Sequence, residues 1–393
     1  MAQPTFGLRS RSEAHNCHST RTAQTCRRAF EEVGGSDGSA LNILLIGATG
    51  FIGPHVAREL ADKGHNLTVY HRGKSPGLLP GSVHRIIGDR NNLLADSNKL
   101  RRVSPEIVVD LILSSTRQAK ALMEVFRGVA RRIVALSSGD VYRAAGILHG
   151  LEPGPLQPLP LTETSGLRTV LQVYPAEQLR RLQKAFSWVD DEYDKIPVEQ
   201  TVMSDSELMG TVLRLPMVYG PGDPLRRTFP YVKRMDDGRA AILIQEEASR
   251  WRAPRGYVEN VAAAIAFAAV SPKAAGRIYN IAELEAFTEL EWVRKIAKSA
   301  GWSGEVIALP RDLAPEHLRV NHNTEQHWVM SSARIREELD FHEPVEPAVA
   351  LARTIAWERQ NPLSIDPAQF NYAAEDSALA KYRGSISEDV SRR

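Results

Sequence analysis

The chain has 393 residues, 43% of them hydrophobic and 24% charged, with 49 basic against 47 acidic side chains and a net charge of +2. It is long enough to bury a sizeable core and to divide into a main and a smaller domain, and its balanced charge provides no global field for nucleic acid or an anionic membrane. Cys17 and Cys26, the only cysteines, precede the first core-like segment, so neither a disulfide framework nor a cysteine metal site follows; a reducing cytoplasm suits this usage.

Residues 1–40 are polar and carry scattered arginines without an apolar run, and read as a disordered arm. An organellar leader and an upstream start codon are further options, the first weakened by Glu13, Glu31, Glu32 and Asp37. No stretch of the chain is long and apolar enough to span a bilayer. Residues 43–46 form a continuous apolar run, as a strand buried on both sheet faces requires. Gly47, Gly50 and Gly53 follow directly, with Thr49, Phe51 and Ile52 between them. Ile52, Val56 and Leu60 then recur at helical spacing, Pro54 suits a first turn, and Gly64 is placed to end the helix. Strand, glycine turn and helix make a dinucleotide site: the glycines allow a tight turn, close approach to a pyrophosphate and close helix packing, with the helix N-terminus facing the anion.

The second strand, residues 66–70, runs into Tyr70-His71-Arg72-Gly73-Lys74. An acidic residue near this point suits the ribose hydroxyls of NAD, whereas a basic one suits the 2′-phosphate of NADP. His71 and Arg72 occupy it here, so NADP is favoured over NAD. A third strand over residues 83–87 leads to Asp89, which can meet the adenine edge, and Arg90. Residues 107–113 supply a fourth strand ending at Ser114 beside the expected cofactor path, residues 115–129 a helix, and residues 132–136 a fifth strand. Strands alternating with helices predict a Rossmann-type α/β fold, a doubly wound parallel sheet covered on both faces.

GATGFIG at residues 47–53, SSGDVY at 137–142 and LRLPMVYGPGD at 213–223, followed by RGYVENVAAAI at 255–265, resemble the extended short-chain dehydrogenase/reductase, or NAD-dependent epimerase/dehydratase, family. The similarity covers roughly residues 41–362, since several collinear motifs are far more specific than one glycine pattern. It implies an NAD(P)-binding Rossmann domain over 41–215, with an insert at 143–190, then a smaller α/β substrate-binding region mostly within 216–362 and a tail over 363–393. It also implies that Ser138 hydrogen-bonds the reacting oxygen, that Asp140 is an acid/base candidate although the neighbouring acid is replaced by Gly139, and that Pro216 and Val218 lie near the nicotinamide.

The family's proton-transfer tyrosine belongs to a Tyr-x-x-x-Lys pattern on one helix face, where the ammonium lowers the phenol pKa. Tyr193 is its counterpart, yet Pro197 stands where the lysine belongs. Lys195, two residues on, would be rotated by roughly 200° in a regular helix, so it serves only if the backbone is irregular here. Three readings stay open: Tyr193 with Lys195, another acid/base such as Asp140 or an insert residue, or loss of redox chemistry.

Residues 150–160 are rich in Pro and Gly and exclude a regular helix or central strand. A loop or lid near the substrate is expected there, then a helix around 176–186. Further on, the arginine forks of Arg252 and Arg255 could hold an anionic substrate group. His317, His322 and His327 show no metal-ligand spacing.

The leading expectation is hydride transfer on a sugar-like or other hydroxylated small molecule, a phosphate-bearing compound or nucleotide-sugar among the options. Epimerisation, dehydration and reduction stay open, as does a homodimer. A redox-silent nucleotide-binding or RNA-binding protein on the same fold is the alternative, which the near-neutral charge disfavours for RNA.

Overall fold

The computed structural model describes residues 39–74, 78–363 and 367–392. The arm expected over residues 1–40 thus lies outside the described residues apart from its last two. Seven parallel strands form the main sheet: β1 (Asn42–Ile46), β2 (Asn66–His71), β3 (His84–Ile87), β4 (Ile107–Asp110), β5 (Arg132–Ser138), β6 (Met209–Leu215) and, after three short strands, β10 (Arg277–Asn280). Their order across the sheet is β10-β6-β5-β4-β1-β2-β3, which reverses beside β1, where an open α/β sheet offers a crevice at its C-terminal edge.

The apolar run of β1 serves both faces. Ile43 and Leu45 join the core on one side and Leu44 and Ile46 the core on the other, the two-residue alternation a strand imposes. The Gly53–Asp62 helix buries Val56, Ala57 and Leu60, carries Pro54 in its first turn, and is followed by Gly64 at a φ of 82°. The Thr116–Phe126 helix covers the opposite face through Ala119, Leu122, Met123 and Phe126.

Two small parallel pairs, β7 (Met217–Tyr219) with β9 (Arg255–Tyr257) and β8 (Ala241–Gln245) with β11 (Glu305–Leu309), build the second half. That half also returns to the first: β10 completes the main sheet beside β6, and the Ala-rich Val258–Val270 helix packs against the Gly53–Asp62 helix. Its small side chains permit this close approach.

The insert follows its expected pattern of a proline-rich loop and then a helix, Ala176–Ala185. Arg143 Nη1 and Nη2 donate to the carbonyls of Pro155 and Pro153, which supplies loop backbone with partners that no regular element offers. The tail contains the Tyr372–Arg392 helix, docked by a buried pair between Arg234 and Glu375 and by Ala378. Among the described residues, no helix is long and apolar enough to cross a membrane.

Candidate active site

A cleft of about 190 Å³ opens at the C-terminal ends of β1 and its neighbours. Gly47, Thr49, Gly50, Phe51, Ile52 and Gly53 form one wall, and His71, Arg72, Asp89 and Arg90 another. The glycines have separate reasons. Gly47 has a φ of 83°, open to glycine at little cost, and a Cβ there would overlap Ile112. A Cβ at Gly53 would overlap the Ala48 backbone, so only hydrogen lets the helix start this close to the turn. Gly50 has nothing within 4 Å of its missing Cβ. The packing of the protein therefore does not require that glycine, and the space it leaves open before the helix N-terminus is of the kind an approaching anion uses. Gly50→Ala is expected to fold with unchanged thermal stability yet lose dinucleotide affinity about tenfold or more, since one methyl forced into a packed contact costs roughly 1–3 kcal/mol. Calorimetric titration beside a thermal melt checks both parts.

The far end of β2 carries no carboxylate. His71 is buried, its Nδ1 accepts from the Gly73 N–H at 3.2 Å, and burial above all, then Arg85, lowers its pKa. Arg72 is exposed and donates to Ser187 Oγ at 2.7 Å. Asp89 Oδ1 accepts from the Asn91 N–H at 2.9 Å. Arg90 is held from beneath by Asp110 at 2.8 Å and by the Gln118 carbonyl at 2.9 Å, which fixes its guanidinium at the wall.

Beyond the cleft lies an enclosed cluster of Asp140, Tyr193 and Lys195. Tyr193 donates to Asp140 Oδ2 at 3.0 Å, and Tyr174 of the insert donates to the same oxygen at 3.1 Å. Asp140 is 1% exposed, and its Oδ1 has no hydrogen-bond partner. Burial raises its pKa, opposed by Arg168, Lys195 and the two phenols. The helix begins only at Lys195, capped by Asp194, whose Oδ1 accepts from the Ile196 N–H at 2.9 Å. Tyr193 therefore precedes the helix, and the helical rotation that would carry Lys195 away from it does not apply. Lys195 Nζ lies 5.4 Å from the centre of the Tyr193 ring. Pro197 falls in the first turn, where its missing N–H costs no helical hydrogen bond.

The Tyr193 pKa departs from its ordinary value in the direction opposite to the one the Tyr-x-x-x-Lys pattern implies. Burial and then the Asp140 charge push Tyr193 well above the ordinary phenol value, while burial lowers Lys195 to about 8. Lys195 Nζ donates to the carbonyls of Leu113, three residues past β4, and Leu136, near the end of β5.

Ser138 Oγ accepts from the Asp140 N–H at 3.2 Å, capping the turn that presents the carboxylate. Ser114 is fully buried and contacts Asp190 instead of the cleft. Pro216 and Val218 are not walls of the cleft; Pro216 lies against Gly256, and the Val218 carbonyl accepts from Arg227 at 2.8 Å. Arg255 is buried, paired with Glu289 and stacked 4.7 Å from the Trp292 ring centre. Arg252 is half-exposed and donates to the Ala286 carbonyl at 2.7 Å, with Glu291 at 3.8 Å. Neither arginine is brought to the Asp140 cluster by a direct hydrogen bond. His317 pairs with Glu375 at 3.0 Å. Among the described residues, no group of three or more His, Cys, Asp or Glu is placed to hold a metal.

Sequence reasoning missed Tyr174, Arg168 and Trp188. Arg168 grips Asp194 through both nitrogens, at 3.0 and 2.9 Å, and donates Nε to the Asp140 carbonyl at 2.7 Å. A Cβ at Gly139 would run into the side chains of Met330 and Trp328, so an acid at that position would require both to shift.

A glycine turn between the first strand and helix, at the C-terminal edge of a parallel sheet, defines a dinucleotide-binding protein of the Rossmann class. The chain belongs to the NAD dependent epimerase/dehydratase family, whose pattern matches residues 43–146 and 193–282. It is similar to 2'-dehydrokanamycin reductase of Streptomyces kanamyceticus, 24% identical over 287 residues that cover 71% of this chain and 72% of that protein. It is also similar to a chloroplast stem-loop binding protein of 41 kDa from Arabidopsis thaliana, 27% identical over 174 residues, or 40% of this chain and 46% of that one. Among solved structures, dTDP-glucose 4,6-dehydratase from Bacillus anthracis in complex with NAD shares the fold: TM-score 0.59, 15% identity, 82% of this chain and 97% of that chain.

Proposed function

We propose that the protein is an NAD(P)-dependent oxidoreductase or epimerase acting on a hydroxylated, sugar-like small molecule. The observation that carries this reading is the gathering of Tyr193, Asp140 and Lys195 past the C-terminal edge of β4 and β5, next to a cleft where Gly50 leaves room for a pyrophosphate. A nicotinamide, when bound, supplies the hydride acceptor or donor. The chain's own residues handle the proton. Tyr193 bridges the substrate hydroxyl to Asp140, which accepts a proton as a carbonyl forms and returns it when one is reduced. Ser138 orients the reacting oxygen, and the Lys195 ammonium adds positive charge beside the phenol.

Arg72 and the missing carboxylate at the end of β2 support NADP over NAD. A relative named as a 2'-dehydrokanamycin reductase and a structural neighbour named as a dTDP-glucose dehydratase both support sugar-like substrates. An anionic group on such a substrate could meet Arg252, whereas Arg255 would first have to be released from Glu289.

The test is a screen of keto-sugars and nucleotide-sugars with NADPH and NADH, following nicotinamide absorbance. Oxidation of NADPH by a keto-sugar is the expected result, and dinucleotide binding without turnover on any of them would favour the redox-silent alternative. The pH profile adds a second readout. With Lys195 at about 8 in the folded protein against an ordinary 10.5, its ammonium disappears as pH rises through 8. Turnover is expected to fall over that limb, and Lys195→Met to abolish it. Unfolding does not mimic this effect. Between about pH 8 and 10.5 the unfolded chain holds the proton that the folded one has released, so this group makes stability rise with pH.

A further inference from the structure

We propose that Phe186, Ser187 and Trp188 form a strap across the dinucleotide cleft that retains the bound cofactor, which makes the insert part of the binding site. This rests on the reading of the cleft as a dinucleotide site. All three residues are walls of the same cleft as Gly47, Gly50 and Gly53. They fall between the two matched segments of the family pattern, within residues 147–192, so the family core does not supply them.

The strap's course follows from its contacts. Ser187 accepts from Arg72 just beyond β2, and the Trp188 ring centre lies 5.2 Å from Lys195 Nζ, whose carbonyl partners are Leu113, just past β4, and Leu136, near the end of β5. In the sheet β1 lies between β4 and β2. A segment reaching from the β2 end to the β4 end therefore passes over the glycine turn that leaves β1, where a pyrophosphate would lie. Phe186 and Trp188 pack on each other with ring centres 5.8 Å apart, and such flat, half-buried rings can lie against a base or ribose.

The two sides of the strap are held unequally. Downstream, Asp190 accepts from Ser115 Oγ at 2.7 Å and donates its N–H to Ser114 Oγ at 3.0 Å, while the Asp194 N–H donates to the Ser114 carbonyl at 3.2 Å. Upstream, the Ala176–Ala185 helix has no buried residue. At the β2 end, the Arg72–Ser187 bond joins two exposed side chains. The strap can thus swing on its Asp190 side and latch at Arg72. A cofactor beneath it leaves only after the latch opens, so the strap acts chiefly on the dissociation rate.

The experiment measures NADPH dissociation from the full chain by rapid mixing with excess NADP, following nicotinamide fluorescence. The double variant Phe186→Ala with Trp188→Ala is expected to release NADPH about tenfold faster or more, because changes at one interface fall mainly on dissociation. Its thermal melt without cofactor should match the wild type. Ser187→Ala, an exposed hydroxyl whose removal leaves the fold intact, should release NADPH several-fold faster and keeps the test valid if the double variant fails to fold. Dissociation within about twofold of wild type in Ser187→Ala and in a folded double variant would overturn the strap while leaving the dinucleotide site standing. A wild-type protein that binds neither NADPH nor NADH would overturn both.

Discussion

Tyr193→Phe is expected to lower turnover by roughly 10²–10⁴-fold, the usual contribution of a positioned proton-transfer group, while leaving dinucleotide affinity unchanged. Its hydroxyl is 3.0 Å from Asp140 Oδ2, and no hydroxyl but that of Tyr174 reaches the same oxygen among the described residues. Asp140→Asn should produce a loss of similar size, because an amide still receives hydrogen bonds from the phenols but cannot take up the proton. Tyr174→Phe should cost less, since Tyr193 remains on the carboxylate. Burial and the Asp140 charge both raise the Tyr193 pKa. The phenol is therefore a neutral relay in this geometry, and no ionisation of Tyr193 should appear in the rate profile near neutral pH. Single-turnover measurements at saturating cofactor separate the chemical step from binding. Full turnover in Tyr193→Phe would remove this residue from the mechanism.

Arg214→Met is expected to destabilise the protein by about 3–5 kcal/mol, because it strands a buried carboxylate. Arg214 and Glu199 are both nearly inaccessible and bonded twice, Nε to Oε1 at 2.9 Å and Nη2 to Oε2 at 2.7 Å. Ser137 Oγ also donates to Glu199 Oε1 at 2.5 Å, and Arg214 Nη1 donates to Tyr142 Oη at 3.0 Å. This network ties β5, β6 and the Lys195–Met203 helix together directly below Ser138 and Asp140. Glu199→Gln should cost less than Arg214→Met, because it leaves a neutral amide and one guanidinium that keeps its Tyr142 bond. The contrast is the exposed pair of Arg181 and Glu177, where Arg181→Ala should change stability by no more than about 1 kcal/mol. Denaturant unfolding of the three variants checks the order, and a loss below about 1 kcal/mol for Arg214→Met would show that water reaches Glu199.

The contrast between these residues and the cofactor cleft shows what was legible in advance. The apolar run of β1, the glycines after it and the four-residue spacing in the first helix are local patterns whose meaning depends only on neighbouring residues. They match an interior strand of the sheet and the turn that lines the cleft. Where an element departs from its rule, the sequence was ambiguous. Lys195 looked misplaced because a helix was assumed to run through Tyr193, whereas the Asp194 cap starts that helix two residues later. Arg252 and Arg255 looked free to meet an anion because their acidic partners, Glu291 and Glu289, come from a helix more than thirty residues further on.

By itself, then, the sequence determined the parallel α/β sheet, the turn that would receive a pyrophosphate, and membership of a family through motifs kept in order along the chain. The tertiary structure alone decided that Arg168 meets Asp140 and Asp194, that Tyr174 meets Asp140, that Lys195 lies beside Tyr193, and that Phe186, Ser187 and Trp188 line the cleft. The reason is physical. Periodicity and glycine turns record short-range constraints, but an insert with a proline-rich loop has no repeating pattern, and its partners are selected by burial and hydrogen bonding between residues far apart in the chain.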